Sequence, residues 1–266
     1  MTTFISRILV GVIGLPVVLG AVWVGGWWLF GLVAVAGMIA VHEFVLLARP
    51  LRPLAPAVYL GVLLSLLGAQ TSVVWMLGGA LGTFVLAFVL NAFAKTRAPS
   101  TVAIGATVLG ATWIGLGLGH IMLLRELHHE ARLVAFTVLI TVWAADTFAY
   151  FAGRMFGRHK LAPSLSPGKT WEGFVVGSLA GIFASFIALY DTRDTYLSSW
   201  QAVILGLVVV LAAAAGDLFE SMLKRDMEVK DTGRLLGGHG GVLDRIDSLL
   251  FAGVAAFYLV LAFGYS

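Results

Sequence analysis

The sequence contains no cysteine, which excludes disulfide bonds, thiolate metal ligands and a cysteine nucleophile. Charge is scarce as well, because only 12% of the 266 residues are charged whereas 60% are hydrophobic. Soluble domains carry about 25% charged residues, so this composition indicates a polytopic membrane protein instead. The net charge of +3 is explained better by membrane topology than by binding to nucleic acid, and no nucleic-acid partner is expected.

The long apolar runs also lack the alternation of polar and apolar residues that is typical of barrel strands. Because lipid tails cannot hydrogen-bond to the backbone, we predict an all-α fold, in a single transmembrane domain over 1–266. With about 20 residues per crossing, nine spans are predicted, near 8–25, 27–47, 54–69, 72–93, 101–124, 133–153, 172–190, 202–223 and 248–264. The first span follows Arg7 directly and has no cleavage site of small residues, so we expect it to be an uncleaved span.

The distribution of basic residues gives an independent test of this topology, because cytosolic loops are enriched in lysine and arginine. Nine spans place only Arg125, Arg132 and Arg193 on one side. The other fourteen of the 17 basic residues lie on the opposite side: Arg7, Arg49, Arg52, Lys95, Arg97, Arg154, Arg158, Lys160, Lys169, Lys224, Arg225, Lys230, Arg234 and Arg245. This asymmetry predicts a protein of the cytoplasmic (inner) membrane whose amino terminus and charged loops, 154–171 and 224–247, face the cytosol.

Small residues recur at a spacing of four in three of the predicted spans. The three sets are Gly78 with Gly82, Gly115 with Gly119, and Gly173 with Gly177 and Gly181. This spacing lets helix backbones approach closely, so it predicts helix packing and no chemistry.

Two carboxylates interrupt the apolar spans, Asp146 in the sixth and Asp217 in the eighth. A charged group near the middle of a bilayer costs about 2.5–3.5 kcal/mol, so it is rarely kept without a partner, a cavity or a metal. Asp217, Glu220, Ser221 and Lys224 share one helix face at positions i, i+3, i+4 and i+7. The alternative for both aspartates is a neutral, hydrogen-bonded group that only joins helices.

The first cytosolic loop reads GRMFGRHKLAPSLSPGKTWEG over 153–173. It is not a P-loop, because that motif needs a glycine at the position of Pro163 and a preceding strand. The loop still offers charged and hydroxyl donors for phosphate, at Arg154, Arg158, Lys160, Ser166, Lys169 and Thr170. Thr170 or Ser166 can also cap the seventh span, and anchoring of the basic residues to anionic lipid head groups remains the alternative.

The second cytosolic loop contains the run GGHGG at 237–241, followed by Asp244 and Asp247. Glycine permits positive φ, and consecutive amides in such turns can bind anions. Acidic residues at a helix start also serve as caps, and capping explains Asp247 more easily than Asp244. We therefore expect Asp244 to meet Asp217. A flexible linker is the alternative, although it has no need of two aspartates directly after it.

These residue types suit a hard metal ion. Carboxylates beside phosphate-binding cations, in a chain without cysteine, favour Mg²⁺, which keeps waters and bridges phosphate oxygens. The sequence therefore predicts a phosphoryl-transfer or nucleotidyl-transfer site. A histidine-rich metal site is disfavoured, because His128 and His129 lie in the opposite loop and His42 stands alone beside Glu43.

Five segments in the second half of the chain resemble one family. The blocks 221–225 (SMLKR), 230–231 (KD) and 239–247 (HGGVLDRID) are similar to the signature of the phosphatidate cytidylyltransferases, also called CDP-diacylglycerol synthases. The loop 164–173 resembles the second conserved block of that family, and 146–157 resembles the block before it. The first five spans match only in being hydrophobic, so we expect 1–125 to be a scaffold and 133–266 to carry the site.

The resemblance implies a dimeric membrane enzyme that converts CTP and phosphatidate to CDP-diacylglycerol and pyrophosphate. It implies Mg²⁺ at Asp217 and Asp244, with a second cation such as K⁺ as a candidate for the same site. Catalytic roles are expected for Asp217, Asp244, Lys224 and Asp247. Substrate binding is expected at Lys169, Ser166, Thr170, Arg154, Ser221, Arg225, His239, Gly240, Gly241, Arg245 and Asp146.

Two other functions fit some of these features. A CTP-dependent lipid kinase of the polyprenol type would share the nucleotide site and transfer the γ-phosphoryl group to an alcohol. A transporter of an anionic solute would use the intramembrane aspartates for coupling, but the chain shows no inverted repeat of the kind that marks many transporters.

Overall fold

The computed structural model describes residues 2–93, 100–127, 130–233 and 240–265, with side chains at Val12 and from residue 14 onward. Over these ranges the chain forms nine α-helices: α1 Thr2–Val24, α2 Gly26–Leu47, α3 Ala55–Ala69, α4 Val73–Phe93, α5 Ser100–Glu126, α6 Ala131–Phe156, α7 Trp171–Ala188, α8 Ser199–Asp226 and α9 Leu243–Ala262. Each coincides with one predicted span, so the all-α prediction is confirmed. Two short 3₁₀ turns, Arg49–Leu51 and Tyr190–Thr192, lie between helices.

Seven helices in the described part of the chain are long and apolar enough to cross a membrane: α2 and α4 to α9. Two shorter apolar stretches, Gly14–Val24 of α1 and Ala55–Ala69, complete the set. This pattern is that of a multi-pass membrane protein, as predicted. The sixth and eighth helices extend beyond the predicted spans, so Arg154 belongs to the last turn of α6 and not to the loop after it.

A two-stranded antiparallel sheet between α6 and α7 was not predicted. Strand β1, Lys160–Ala162, pairs with strand β2, Ser166–Thr170, with Lys160 opposite Thr170 and Ala162 opposite Ser166. The Trp171 amide donates to the His159 carbonyl at 2.9 Å and extends the pairing by one bond. Strands this short contain too few residues to show the alternation by which strands are recognised in a sequence.

The chain divides into two compact units. The first contains the described residues of Met1–Leu123 and Asp226–Ile246, and the second those of Leu124–Arg225 and Asp247–Ser266. The loop before α9 thus belongs with the amino-terminal helices, although it follows α8 in sequence.

In the first unit, α2 packs against α1 and α3, and α3 packs along α4. A Cβ atom at Gly79 would lie 2.5 Å from the Ser65 amide, so α3 and α4 touch backbone to backbone there. The predicted contact at Gly115 and Gly119 is confirmed, because their α-carbons face Ser65 and Met76. The prediction for Gly78 and Gly82 is not confirmed, because no described residue lies within 4 Å of a Cβ atom at either position.

In the second unit, α6 packs along α7 through the predicted glycines. A Cβ atom would lie 2.6 Å from the Ala149 carbonyl at Gly173 and 2.5 Å from the Ala145 carbonyl at Gly177. At Gly181 it would meet Val210 of α8 at 2.5 Å. Close packing of α6, α7 and α8 through these glycines holds the β1–β2 hairpin at one end of α6 and α7.

Candidate active site

The second unit brings together two of the residues predicted from the sequence, Lys169 and Asp217. The Lys169 Nζ atom lies 2.5 Å from Oδ2 of Asp217, and their side chains remain 25% and 32% exposed. Lys169 is on β2 and Asp217 is on α8, so the ion pair joins the hairpin to a membrane helix. Partial exposure leaves both groups accessible to a ligand.

The predicted polar face of α8 is confirmed. Ser221 Oγ donates to Asp217 Oδ1 at 3.5 Å, and Lys224 Nζ donates to Glu220 Oε2 at 2.8 Å. Glu220 is only 1% exposed, and its second oxygen, Oε1, is buried without a hydrogen-bond partner. Lys224 stabilises the buried carboxylate, whereas an unpaired charge buried to the same extent would be costly.

Asp247 joins this group from α9. Its side chain is buried, 7% exposed, and its carboxyl group contacts that of Glu220 while also lying in the field of Asp217. The approach of α9 is close, since a Cβ atom at Gly216 would lie 2.6 Å from the Asp247 carbonyl oxygen. Three carboxylates and two lysines therefore share one region of the second unit, which we call the acidic cluster: Asp217, Glu220, Asp247, Lys169 and Lys224.

The hairpin that carries Lys169 is held by Glu172, in the first turn of α7. Its carboxylate accepts hydrogen bonds from the amides of Arg158 at 3.1 Å and His159 at 3.2 Å. The His159 ring nitrogen Nδ1 lies 2.6 Å from the same carboxylate. These bonds close the base of the hairpin and limit the movement of Lys169.

Two further contacts fix the hairpin. Thr170 is the amino-terminal cap of α7, since its Oγ1 accepts from the Gly173 amide at 3.2 Å, as predicted. Ser166 instead opens β2 and does not cap the helix. Arg225 Nε donates to the Leu165 carbonyl at 3.1 Å, which ties the tip of the hairpin to the end of α8.

Two predicted residues lie on α6. The Arg154 guanidinium donates to the Tyr150 hydroxyl at 3.0 Å, one turn earlier in the same helix. Asp146 is exposed a further turn back. Substrate binding by both residues stays a prediction.

The loop before α9 lies in the first unit and is organised around Asp244. Its Oδ2 atom accepts from the Gly241 amide at 2.7 Å and from the Thr232 amide at 3.1 Å. Asp244 therefore accepts the local backbone bonds at the start of α9. The sequence favoured Asp247 for this capping role, and that prediction was wrong. Asp247 is instead buried beside Glu220, with its Oδ1 accepting from the Ser248 amide at 2.7 Å.

The glycines of this loop were expected to adopt positive φ. Gly240 does so, with φ of 77°, whereas His239 and its neighbours over 234–239 lie outside the described residues. Arg245 is exposed on the first turn of α9. Substrate binding by His239, Gly240, Gly241 and Arg245 stays a prediction.

The acidic cluster has the donor chemistry of a magnesium site. Carboxylate oxygens are the ligands that Mg²⁺ prefers, and this ion is usually held by one or two carboxylates plus waters and phosphate oxygens. Glu220 and Asp247, which are buried beside each other, add two carboxyl groups near Asp217. Within the described residues no group of three or more histidine, aspartate or glutamate side chains is arranged to hold a metal ion.

A sequence model of the cytidylyltransferase family matches residues 5–263, nearly the whole chain. The chain belongs to the cytidylyltransferase family. The match includes the first five spans, for which the sequence motifs offered no evidence.

Two bacterial members of the cytidylyltransferase family are similar over nearly the whole chain, and a plant member is similar over two thirds of it. The phosphatidate cytidylyltransferase of Mycobacterium bovis is 36% identical over 279 residues, which cover 96% of this chain and 87% of the relative. That of Mycobacterium tuberculosis is also 36% identical over 279 residues, covering 96% of this chain and 81% of the relative. The chloroplastic phosphatidate cytidylyltransferase 4 of Arabidopsis thaliana is 38% identical over 180 residues, or 67% and 44% of the two chains.

Three acidic residues of the structure are absent from the site predicted by the sequence. Glu220 was placed on the polar face of α8 but not among the site residues, and Glu172 was treated only as part of a motif. Glu43 was overlooked, although it is an ionisable residue near the end of an apolar span. An acidic side chain inside a membrane helix was a usable signal for both Glu43 and Glu220.

Proposed function

We propose that the protein transfers the cytidylyl group of CTP to phosphatidate, forming CDP-diacylglycerol and releasing pyrophosphate. The observation that carries the proposal is the ion pair of Lys169 and Asp217. It supports the proposal because lysine is a residue type that binds phosphate and a carboxylate is a residue type that binds Mg²⁺. Membership of the cytidylyltransferase family and the names of its similar members support the same reaction.

The cations of the second unit provide the binding site for the CTP phosphates. Lys169 and Lys224 each hold a carboxylate, at 2.5 and 2.8 Å, and Arg225 is exposed at the end of α8. An arriving triphosphate competes with the carboxylates for these cations. Charge-assisted hydrogen bonds to phosphate orient the α-phosphorus and stabilise the negative charge that develops on the pyrophosphate.

Asp217 is the expected ligand of Mg²⁺ in the acidic cluster, with Glu220 and Asp247 as neighbouring carboxylates. Asp244, held by loop amides in the first unit, is also predicted from the sequence as a ligand. Bound Mg²⁺ supplies neutralisation of phosphate charge. The lysines of the acidic cluster orient the phosphates. Each of these lysines also faces a carboxylate, so neither leaves an unpaired charge in the membrane.

The nucleophile is the phosphate monoester of phosphatidate. One of its oxygens forms a bond to the α-phosphorus of CTP, while the bond from that phosphorus to the bridging oxygen of the β-phosphate breaks and pyrophosphate leaves. A phosphate monoester is already ionised near neutral pH, because its second pKa is about 6, so no general base is needed. Phosphatidate enters from the leaflet that faces the charged loops.

We expect the site at the cytosolic face of the cytoplasmic membrane, because cytosolic loops are enriched in lysine and arginine. Enrichment of lysine and arginine on one side of the predicted spans supports this orientation. We expect a homodimer from the resemblance to the family, and the oligomeric state in mild detergent tests this expectation.

Purified protein incubated with phosphatidate, Mg²⁺ and CTP labelled at the α-phosphate tests the reaction. Label should appear in the lipid fraction, and unlabelled pyrophosphate should be released in equal amount. Transfer of label only from γ-labelled CTP would indicate a lipid kinase instead. Uptake of an anionic solute into proteoliposomes without metal or CTP, and without lipid labelling, would indicate a transporter.

A further inference from the structure

Glu43 of α2 is a buried acidic residue that the proposed reaction does not use. Its side chain is only 4% exposed, in a helix whose one other ionisable residue is His42. One oxygen, Oε1, accepts a hydrogen bond from the Val242 amide at 3.0 Å, and the other, Oε2, accepts from the Leu243 amide at 2.8 Å. Both oxygens thus bind the backbone where α9 begins, about 200 residues later in the chain.

The position of these bonds gives them a specific effect. The first amides of a helix have no partner within the helix, and the aligned peptide dipoles make this end positive. The Glu43 carboxylate satisfies two of these amides and supplies the favoured charge. It acts as a cap contributed by a distant helix, so the start of α9 is attached to α2.

Two glycines of the loop accommodate the Glu43 carboxylate. A Cβ atom at Gly233 would lie 2.5 Å from Oε1, and one at Gly241 would lie 2.5 Å from Oε2. Neither glycine is among the described residues with positive φ, so a left-handed backbone conformation is not the reason for a glycine at these positions. The contact with Glu43 is the reason, because a methyl group at either position would displace the carboxylate.

The same loop segment holds Asp244. Gly241 donates its amide to Asp244 Oδ2 at 2.7 Å, and the next two amides, of Val242 and Leu243, donate to Glu43. Three consecutive N–H groups are therefore engaged by two carboxylates. Displacement of Glu43 would release the segment that sets the position of the Asp244 carboxylate.

We infer that Glu43 is a positioning residue, which fixes Asp244 for catalysis by capping α9 from α2. The inference rests on the proposed function, since that function assigns Asp244 to the metal-dependent transfer. Glu43 itself does not touch substrate, because both of its oxygens are occupied by backbone amides. The amides of Val242 and Leu243 are accordingly not available to bind phosphate, and this task falls to the basic side chains.

The variant Glu43→Gln tests the inference. Glutamine keeps the size of the side chain, but its NH₂ group cannot accept a hydrogen bond, so one of the two amides loses its partner. We expect faster hydrogen exchange at Val242 and Leu243, and a kcat lower by about 10- to 100-fold, the scale produced by a 1 Å misplacement. The KM for CTP should change less than kcat, since Lys169, Lys224 and Arg225, which are proposed to bind its phosphates, lie on β2 and α8.

Glu126→Gln is the matched control, because it makes the same chemical change at an exposed residue at the end of α5 that pairs with Arg125. Its kcat and amide exchange should equal those of the unmodified protein. Exchange can be measured even on a protein without activity, so failure of the proposed reaction is distinguishable from failure of the inference.

Gly233→Ala tests the same contact from the loop side if Glu43→Gln does not fold. It should also lower kcat, but it should cost much less when combined with Glu43→Ala, which makes room for the methyl group. Such coupling between the two positions supports the inference. An unchanged kcat in folded Glu43→Gln, or in folded Gly233→Ala, overturns it, as does additive behaviour of the double variant.

Discussion

The ion pair of Lys169 and Asp217 connects the β1–β2 hairpin to α8, with 2.5 Å between Nζ and Oδ2. Neither residue is fully buried, and each has a second attachment nearby: Thr170 caps α7 beside Lys169, and Ser221 donates to Asp217. The pair thus has a fixed position without being closed to ligands. This combination is suited to a site where phosphate and metal must replace an existing ion pair.

Substitution of Asp217 by asparagine should abolish turnover while the protein stays folded. Asparagine retains the size and the ability to bond Ser221, but it loses the charge that pairs with Lys169 and that the proposed Mg²⁺ would require. Loss of metal stabilisation of the transferred phosphate is worth several kcal/mol, so we expect the rate to fall at least about 100-fold. Incorporation of α-labelled CTP into lipid measures this loss.

Asp226→Asn provides the comparison for this variant, since Asp226 is an exposed residue at the end of the same helix. Its activity should match that of the unmodified protein. Substantial activity in Asp217→Asn would remove Asp217 from the metal site.

Replacement of Lys169 by alanine should weaken nucleotide binding more than it disturbs the fold. A hydrogen bond to a charged group contributes about 1.5–3 kcal/mol, so the KM for CTP should rise about 10-fold or more. Initial rates over a range of CTP concentrations measure the change. Arg193→Ala is the control, because it removes a cation on the loop before α8 that lies over the Tyr190 ring. It should leave the KM for CTP unchanged. A similar rise in KM for both variants would indicate a nonspecific effect of losing positive charge.

The sequence predicts the helices well because hydrophobic length is a local property. Nine apolar runs became nine helices in the described chain, and the glycines at 173, 177 and 181 indicated the α6–α7 contact. The polar face of α8 was also predictable, because helical spacing places Asp217, Ser221 and Lys224 on one side.

Contacts between distant segments were not predictable in the same way. The bonds from Glu43 to Val242 and Leu243 depend on which helix packs beside the loop, and no spacing rule reports that. The exchange of roles between Asp244 and Asp247 has a similar cause. Both occupy the start of α9, and which of them is buried depends on the neighbouring helix: Asp247 packs against α8 near Gly216 and Glu220.

Removal of the Thr170 hydroxyl should destabilise α7 and disturb Lys169. Thr170→Ala deletes the cap of the Gly173 amide, which typically costs about 1 kcal/mol. Thermal unfolding in detergent should show a lower midpoint, with a higher KM for CTP because the neighbouring lysine is less well held. Thr170→Ser keeps the hydroxyl and should restore both values; if it behaves like alanine, the methyl group and not the cap is responsible.

Alanine at Gly177 should separate α6 from α7. The new Cβ atom would lie 2.5 Å from the Ala145 carbonyl, a backbone atom that cannot move aside without shifting the helix. Overpacking of this kind costs about 1–3 kcal/mol, so the unfolding midpoint should fall by several degrees. Gly78→Ala is the matched control, because it is also a helical glycine but has nothing within 4 Å of the added atom. Alanine favours helix over glycine, so this control should be neutral or slightly stabilising, and equal destabilisation of both variants would contradict the α6–α7 contact.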